Sequence, residues 1–234
     1  MNWKTLQQNA YTPYSGNSIS CIVESKTGKF FTGVRVESIT YPLTIPAIQS
    51  ACCICLSEGE IPAKIYLEDS DVEHLNYWVD EFEMEVLITK NPPADEHQNL
   101  FHVQEDDFKS LPKLKELLKK SVTPNSDFPV SAILFVNGGY FEGVNIEVSD
   151  WTKGLCAERV AIAKAIAAGI TTFLHLDVHT KKGEVSSPCG ACRQVILEHL
   201  PYHIVKLHHA DGTLSEHLTV DLLPFSFKSS VLKK

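Results

Sequence analysis

The sequence predicts an α/β fold that consists of two tandem copies of one domain, each a three-layer unit in which helices cover a mixed sheet. Two observations lead to this prediction. Short motifs recur along the chain at an offset of 110 or 111 residues, and within each copy strand-like segments alternate with helical ones. Strands interleaved with helices indicate a sheet whose faces pack against helices. A chain of 234 residues has room for two small domains.

The repeat consists of three pairs of motifs that keep a nearly constant spacing. They are residues 12–15 and 123–126, residues 31–37 and 141–147, and residues 45–48 and 155–158. Between the copies, segment 91–99 is polar and contains two prolines, which is typical of a loop or linker. We therefore predict a first domain over residues 1–100 and a second domain over residues 101–234.

The second copy shows its elements clearly. Apolar residues at helical spacing predict its first helix, and Asn137-Gly138-Gly139 predicts the turn of a hairpin. The predicted elements are a helix over 107–121, strands over 130–136 and 140–146, a helix over 156–168, a strand over 172–178, a helix over 190–200 and a strand over 204–207. From the first hairpin onward, the first copy is expected to repeat the order strand, strand, helix, strand, helix.

Composition and charge narrow the class of protein. With 44% hydrophobic and 21% charged residues, the chain is typical of a globular protein that buries a core. The formal net charge of −8 argues against a protein that binds duplex DNA, because phosphate contacts need a basic surface. The first residues do not resemble a secretion signal, and no segment approaches the ~20 apolar residues of a membrane helix. We expect a cytoplasmic protein without a membrane partner.

Three cysteines in the C-terminal half have the spacing of a catalytic zinc site. A catalytic zinc takes three protein ligands and leaves a fourth position for water. Cys156 lies at the predicted start of one helix, and Cys189 and Cys192 lie at the start of another, where the helix dipole favours thiolates. Glu158 is two residues after Cys156, a position suited to a general acid and base that does not bind the metal. We predict one Zn²⁺ per chain.

The surroundings of these cysteines leave two alternatives open. One is a structural zinc closed by a fourth ligand such as His179, and the other is a redox pair in the Cys-x-x-Cys motif. The third cysteine, the nearby carboxylate and Pro188 favour the catalytic site. Arg159 and Arg193 each follow a ligand closely and are expected to offset the negative charge of three thiolates.

These motifs resemble those of a known family. Residues 187–194 read Ser-Pro-Cys-Gly-Ala-Cys-Arg-Gln and closely resemble the second zinc motif of the cytidine deaminases. Residues 156–159, Cys-Ala-Glu-Arg, resemble the first motif, and cysteine in its first position is similar to the branch that acts on free nucleosides. The resemblance covers most of residues 120–228 and is weaker over residues 10–60. It implies a tandem form with a degenerate N-terminal copy.

The resemblance implies roles for residues outside the cysteine motifs. Asn145 and Glu147, which share one face of a strand, are implied to bind the ribose hydroxyls. Phe128 is implied to line the base pocket, and Ala157 to supply backbone contacts to the base. Gln194, at the end of the second motif, is expected to support the site.

The first copy lacks the residues that the zinc site needs. At the offset of 110, Pro46 replaces the first ligand, Ile48 replaces the carboxylate and Arg35 replaces the ribose-binding Asn. We therefore predict a non-catalytic domain. The cysteines of this copy map onto core positions and are interpreted as small buried residues. They are Cys21, Cys52, Cys53 and Cys55.

The predicted function is zinc-dependent hydrolytic deamination of cytidine and deoxycytidine to uridine and deoxyuridine in pyrimidine salvage. Departures from the family pattern, at Val148 and in residues 151–154, motivate an alternative: a deaminase of a different or modified amine-bearing nucleoside. A second alternative is a zinc-stabilised nucleoside-binding module without activity. By resemblance to tandem relatives we expect a homodimer in which four domains pack together. Binding to nucleic acid is not expected.

Overall fold

The structure is a computed structural model that describes residues 2–70, 72–93 and 97–227, and it shows a mixed α/β fold with two sheets. The N-terminal half contains α1 (Trp3–Gln7), β1 (Ser20–Ser25), β2 (Phe30–Val34), α2 (Ala47–Ser57), β3 (Pro62–Leu67), α3 (Leu75–Phe82) and β4 (Glu85–Ile88). The C-terminal half contains β5 (His102–Val103), α4 (Ser110–Leu117), β6 (Val130–Val136), β7 (Gly139–Val144), α5 (Ala157–Ala167), β8 (Phe173–Thr180), α6 (Gly190–His199), β9 (Ile204–His208), β10 (Leu214–Leu218) and α7 (Thr219–Leu222). Single 3₁₀ turns lie at Tyr41–Leu43, Leu118–Lys120 and Trp151–Lys153.

The two sheets share one pattern of strand pairing. Their strand orders are β2-β1-β3-β4 and β10-β9-β8-β6-β7-β5. In the N-terminal sheet, β1 pairs antiparallel with both β2 and β3, and β3 pairs in parallel with β4. In the C-terminal sheet, β6 pairs antiparallel with both β7 and β8, and β8 pairs in parallel with β9. The C-terminal sheet is larger because β5 and β10 extend its two edges.

The correspondence between the halves extends to single residues. Ser20 pairs with Val34 in the first hairpin as Ser131 pairs with Val144 in the second. Helices α2 and α5 each have 11 residues and begin 110 positions apart. Isolated bridges after each hairpin also correspond, and they are Val36–Ile45 and Ile146–Leu155.

Helices α2 and α5 pack against each other at the centre of the molecule. Every residue of α2, and every residue of α5 except the last, is buried, as expected for a helix enclosed on all sides. Each helix also reaches the 3₁₀ turn of the other half. Gln49 donates its amide to the Lys153 carbonyl oxygen at 2.8 Å, and Arg159 donates to the Leu43 carbonyl oxygen at 2.7 Å.

Most predicted elements are present, and the start of the first helix of the second copy is corrected. That helix, predicted from residue 107, begins at Ser110 and carries Pro112 in its first turn, where a missing N–H breaks no helical hydrogen bond. Residues 94–96 of the predicted linker lie outside the described residues. The four cysteines interpreted as core residues are all buried, and they are Cys21, Cys52, Cys53 and Cys55. Within the part of the chain that the structure describes, no helix is long and apolar enough to cross a membrane.

Close packing of α5 on β7 requires glycine at position 143. A Cβ atom there would lie 2.1 Å from the Ala157 carbonyl oxygen. Gly143→Ala is therefore expected to displace the helix and to lower the free energy of unfolding by about 3 kcal/mol, measured by urea denaturation. The matched control is Gly190→Ala, whose Cβ would meet nothing within 4 Å; a change within about 0.5 kcal/mol is expected there. Equal effects of the two variants would contradict this account.

A buried ion pair joins the two halves beside these helices. The Lys164 ammonium of α5 contacts Glu58, the residue that ends α2, and Lys120 reaches the same carboxylate at 3.1 Å. The Lys164 side chain is only 2% exposed, and burial lowers the pKa of its ammonium. A buried charge of this kind is tolerated because it is paired, so its partner is indispensable.

Glu58→Gln is expected to lower the free energy of unfolding by about 3 kcal/mol, because the Lys164 charge would stay buried without the carboxylate that contacts it. The measurement is again urea denaturation. Glu216→Gln is the control, because the Lys206–Glu216 pair on the sheet edge is partly exposed at 3.4 Å and is expected to contribute less than about 1 kcal/mol. The prediction is wrong if both variants are equally mild.

Candidate metal centre and active site

Two helix starts bring the three predicted cysteines together. Cys156 is the N-cap of α5, Cys189 is the N-cap of α6, and Cys192 lies in the first turn of α6. Their sulfur atoms all lie within 4.8 Å of one another, and the Cys156 and Cys189 Sγ atoms are 3.7 Å apart. Among the described residues, this is the one group of three or more histidine, cysteine or acidic side chains so arranged.

The spacing of the cluster fits a zinc ion, and the surroundings of Cys189 favour a thiolate. A tetrahedral ion with Zn–S bonds of ~2.3 Å separates its sulfur ligands by roughly 3.8 Å, close to the distance between Cys156 and Cys189. The pKa of the Cys189 thiol is far below its usual range because the thiols of Cys156 and Cys192 donate to it, and the backbone N–H groups of Ala191 and Cys192 add to the effect. The pKa values of the donors Cys156 and Cys192 are raised, first of all by their contacts with the other thiols of the cluster. Cys189, at the start of α6, is therefore the member of the cluster that most readily forms the thiolate, the form that binds a metal.

Glu158 lies in the first turn of α5 and is 2% exposed. Burial raises the pKa of its carboxyl group to about 7, and the nearby Cys189 charge acts in the same direction. Its Oε2 atom is buried without a hydrogen-bond partner in the described part of the chain. The Glu158 carboxyl group, two residues after Cys156, therefore has one oxygen that could accept a hydrogen bond from a bound molecule.

The supporting residues have different surroundings. Arg159 is 9% exposed and is held by the Leu43 carbonyl oxygen of the other half. Arg193 binds the Pro188 carbonyl oxygen at 2.9 Å and the Ser187 hydroxyl at 2.6 Å, so it braces the segment that leads into Cys189. Gln194 is half-buried on α6.

The segment predicted to bind a sugar lies beside the first cysteine. The bridge between Ile146 and Leu155 sets residues 145–147 next to the residue that precedes Cys156. Glu147 accepts hydrogen bonds from the backbone N–H groups of Asn125 and Ser126 and from the Ser126 hydroxyl. These three donors fix the orientation of the carboxylate.

The other predicted substrate contacts lie around the same segment. Asn145 accepts from the Val130 N–H at 2.8 Å and donates to the Phe128 carbonyl oxygen at 2.9 Å, so its amide orients the loop that carries Phe128. The Phe128 ring is 38% exposed, which leaves a face available for contact. Ala157 is fully buried at the start of α5.

His179, the fourth ligand of the structural-zinc alternative, is not part of the cysteine cluster. His179 is buried, and its Nδ1 atom is 2.8 Å from the His208 carbonyl oxygen. The hydrogen bond from Arg159 to the Leu43 carbonyl oxygen joins residues 116 positions apart, and no sequence motif predicts such a contact. Ser126 was visible as part of the repeat, but its contact with Glu147 was not predicted.

Comparison with known proteins identifies the family. Residues 104–207 match the cytidine and deoxycytidylate deaminase zinc-binding region. A cytidine deaminase of Sporosarcina psychrophila is 36% identical over 129 residues, which are 53% of this chain and 93% of that protein. The chain belongs to the cytidine deaminase family. It is therefore a hydrolase of the class that acts on C–N bonds.

Other cytidine deaminases match a similar share of the chain. That of Mycoplasma genitalium is 37% identical over 123 residues, which are 51% of this chain and 94% of the relative. The solved cytidine deaminase of Burkholderia pseudomallei is 36% identical and overlaps 50% of this chain and 95% of its own, with a TM-score of 0.48. The matched region, residues 104–207, contains all three clustered cysteines and Glu158. The N-terminal half of the present chain precedes this region.

Proposed function

We propose that the protein is a zinc-dependent deaminase that hydrolyses cytidine and deoxycytidine to uridine and deoxyuridine, as an enzyme of pyrimidine salvage in the cytoplasm. The observation that carries the proposal is the convergence of three cysteine sulfurs within 4.8 Å, with the buried Glu158 two residues from one of them. Structural zinc sites are usually closed by a fourth Cys or His and have no use for such a carboxylate.

Cys156, Cys189 and Cys192 would hold one zinc ion per chain. When bound, the ion supplies Lewis acidity that lowers the pKa of water at the site. The three sulfurs are all contributed by first-turn or N-cap positions, whose helix dipoles favour thiolates. Arg159 adds a nearby positive charge that lowers the pKa of Glu158 in opposition to burial.

Glu158 would move the protons of the reaction. Cytidine and water give uridine and ammonia, so protons from the attacking water must reach N3 of the ring and then the departing amine at C4. A carboxyl group whose pKa is raised to about 7 is suited to accept and to donate near neutral pH. The backbone N–H of Ala157, at the start of α5, has no acceptor within the helix and would contact the base.

Asn145 and Glu147 would bind the ribose hydroxyls, with Phe128 against the base. Glu147→Gln is expected to raise KM for cytidine by about 10- to 100-fold with a smaller fall in kcat, because one charge-assisted hydrogen bond is lost. Steady-state kinetics test this prediction, with Glu216→Gln on the outer strand as the control. An unchanged KM would remove Glu147 from the sugar site.

We further propose that residues 1–100 are a non-catalytic copy of the deaminase domain and residues 101–234 the catalytic copy. Support comes from the shared strand pairing, the 110-residue spacing of α2 and α5, and the reciprocal contacts of Gln49 and Arg159. Two chains would then form a homodimer with four packed domains. Sedimentation equilibrium tests the dimer.

A second candidate function is deamination of a different or modified nucleoside. It is favoured by Trp151, which is 67% exposed in the turn that approaches Cys156. The deciding experiment measures zinc content and follows the absorbance of cytidine and deoxycytidine, then of a panel of amine-bearing nucleosides. Turnover of cytidine supports the main proposal. A zinc-loaded protein that deaminates only another nucleoside supports the second, and a zinc-loaded protein without any turnover supports a nucleoside-binding module.

A further inference from the structure

A cavity of about 560 Å³ is lined mainly by the N-terminal half, at the position that corresponds to the cysteine cluster of the other half. Pro46 lines it as the N-cap of α2, where α5 has Cys156. His74 lines it as the N-cap of α3, the helix that follows the third strand of its sheet, as α6 with Cys189 follows β8. The volume is within the range of small-molecule sites.

The cavity retains the carboxylate of the sugar segment, whereas Arg35 takes the place of Asn145 and contacts this carboxylate. Glu37 lies 110 positions before Glu147 and is fixed by equivalent donors, the backbone N–H groups of Tyr14 and Ser15 and the Ser15 hydroxyl. Asn125 and Ser126 supply the same three bonds to Glu147. The carboxylate that would receive sugar hydroxyls is therefore preserved in the half that lacks metal ligands.

The walls of the cavity favour an uncharged ligand. The lining contains two carboxylates, Glu37 and Glu73, and two cations, Arg35 and Lys153, so that their formal charges cancel. Arg35 contacts both carboxylates, Glu37 at 3.3 Å and Glu73 at 2.9 Å. A phosphate group would disturb this balance, whereas a neutral ligand with hydroxyl groups would not. Three side chains with rings that could pack against a base also line the cavity, and they are Tyr41, Pro42 and Pro46.

Both halves build the cavity. Thr152 and Lys153 belong to the 3₁₀ turn that leads into Cys156, and they line the cavity from the C-terminal half. The Gln49 amide of α2 donates to the Lys153 carbonyl oxygen. The Lys153 ammonium lies 3.4 Å from the His74 ring. A ligand here would contact the backbone turn three residues before the first cysteine.

We propose that this cavity binds a ribonucleoside through its sugar hydroxyls, without chemical conversion, as a second nucleoside site in each chain. The assignment of the sugar contact rests on the proposed role of Glu147. Conversion is not expected because Pro46 replaces the first cysteine and Ile48, which is fully buried, replaces the acidic residue.

The test is equilibrium dialysis of the zinc-loaded protein with labelled uridine. Two sites per chain are expected, and Glu37→Ala is expected to weaken one of them at least tenfold while Glu147→Ala weakens the other. Because Glu37 is buried, Tyr41→Ala serves as a second variant; its side chain is 90% exposed, so the fold tolerates its loss, and it is expected to weaken the same site. Circular dichroism checks that each variant is folded.

Crystals soaked in 5-bromouridine locate the sites without any variant. Anomalous scattering from bromine near Glu37 and Pro46 is expected in addition to a signal near Glu158. A single site per chain, no binding, or bromine at Glu158 alone overturns the inference. Cytidine turnover with a single uridine site would overturn only this inference, whereas two uridine sites without turnover would overturn only the proposed function.

Discussion

Glu158→Gln is expected to lower kcat for cytidine deamination by about three orders of magnitude while the zinc content stays unchanged. The glutamine side chain has nearly the same shape, so α5 and the neighbouring cysteines should keep their positions. It has no carboxyl group to carry a proton between water, N3 and the amine, and general acid–base catalysis contributes typically 10²–10⁴-fold. The variant therefore separates proton transfer from metal binding.

Absorbance assays of deamination and a direct zinc determination on the same samples test this prediction. Glu216→Gln is the control, because that carboxylate lies on β10 and pairs only with Lys206 in the described structure. A Glu158 variant that keeps most of its activity would show that another group moves the protons. A variant that loses its zinc as well would show that the carboxylate supports the metal site.

The cysteine cluster was predictable from local sequence because each of its parts is local. The Cys-x-x-Cys motif sets Cys189 and Cys192 on one helix turn, and the spacing of Cys156 and Glu158 sets the carboxylate in the first turn of another helix. What the local pattern could not supply is the distance between the two helix starts. The sheet order, with β8 beside β6, determines that distance.

Contacts between the halves were not predictable, because they join residues that no motif relates. The Lys164–Glu58 ion pair spans 106 positions, and nothing in the apolar pattern of α5 distinguishes a buried paired lysine from an exposed one. The outer strand β10 also escaped prediction. Its side chains alternate between exposed and partly buried, so the strand lacks the buried apolar face by which a sequence pattern predicts a strand.

The family resemblance predicts a sugar-binding role for Asn145 and Glu147, but it does not predict the hydrogen bonds that orient them. The repeat aligned Ser15 with Ser126 and Glu37 with Glu147, yet the alignment alone does not state that each serine binds the glutamate. The structure shows that corresponding donors orient both glutamates, although Pro46 and Ile48 stand where the second half has Cys156 and Glu158.

Cys192→Ala is expected to remove zinc and activity together. The side chain is fully buried and is one of three sulfurs within 4.8 Å, and changes to groups that merely orient metal ligands already cost 10–100-fold in affinity. Losing a ligand should therefore weaken zinc binding by more than about 100-fold. The measurements are zinc content after dialysis against a chelator, deamination rate and thermal unfolding.

Cys53→Ala is the matched control, because Cys53 is equally buried but lies on α2, outside the cluster. It should keep zinc and activity and lose about 1 kcal/mol of stability from the small cavity. Since metal binding adds to folding free energy, a chelator should lower the Tm of the wild type and of Cys53→Ala but leave that of Cys192→Ala unchanged. If Cys192→Ala retained zinc, the ion would have to be held by ligands other than the three sulfurs, and the two helix starts would not be its binding site.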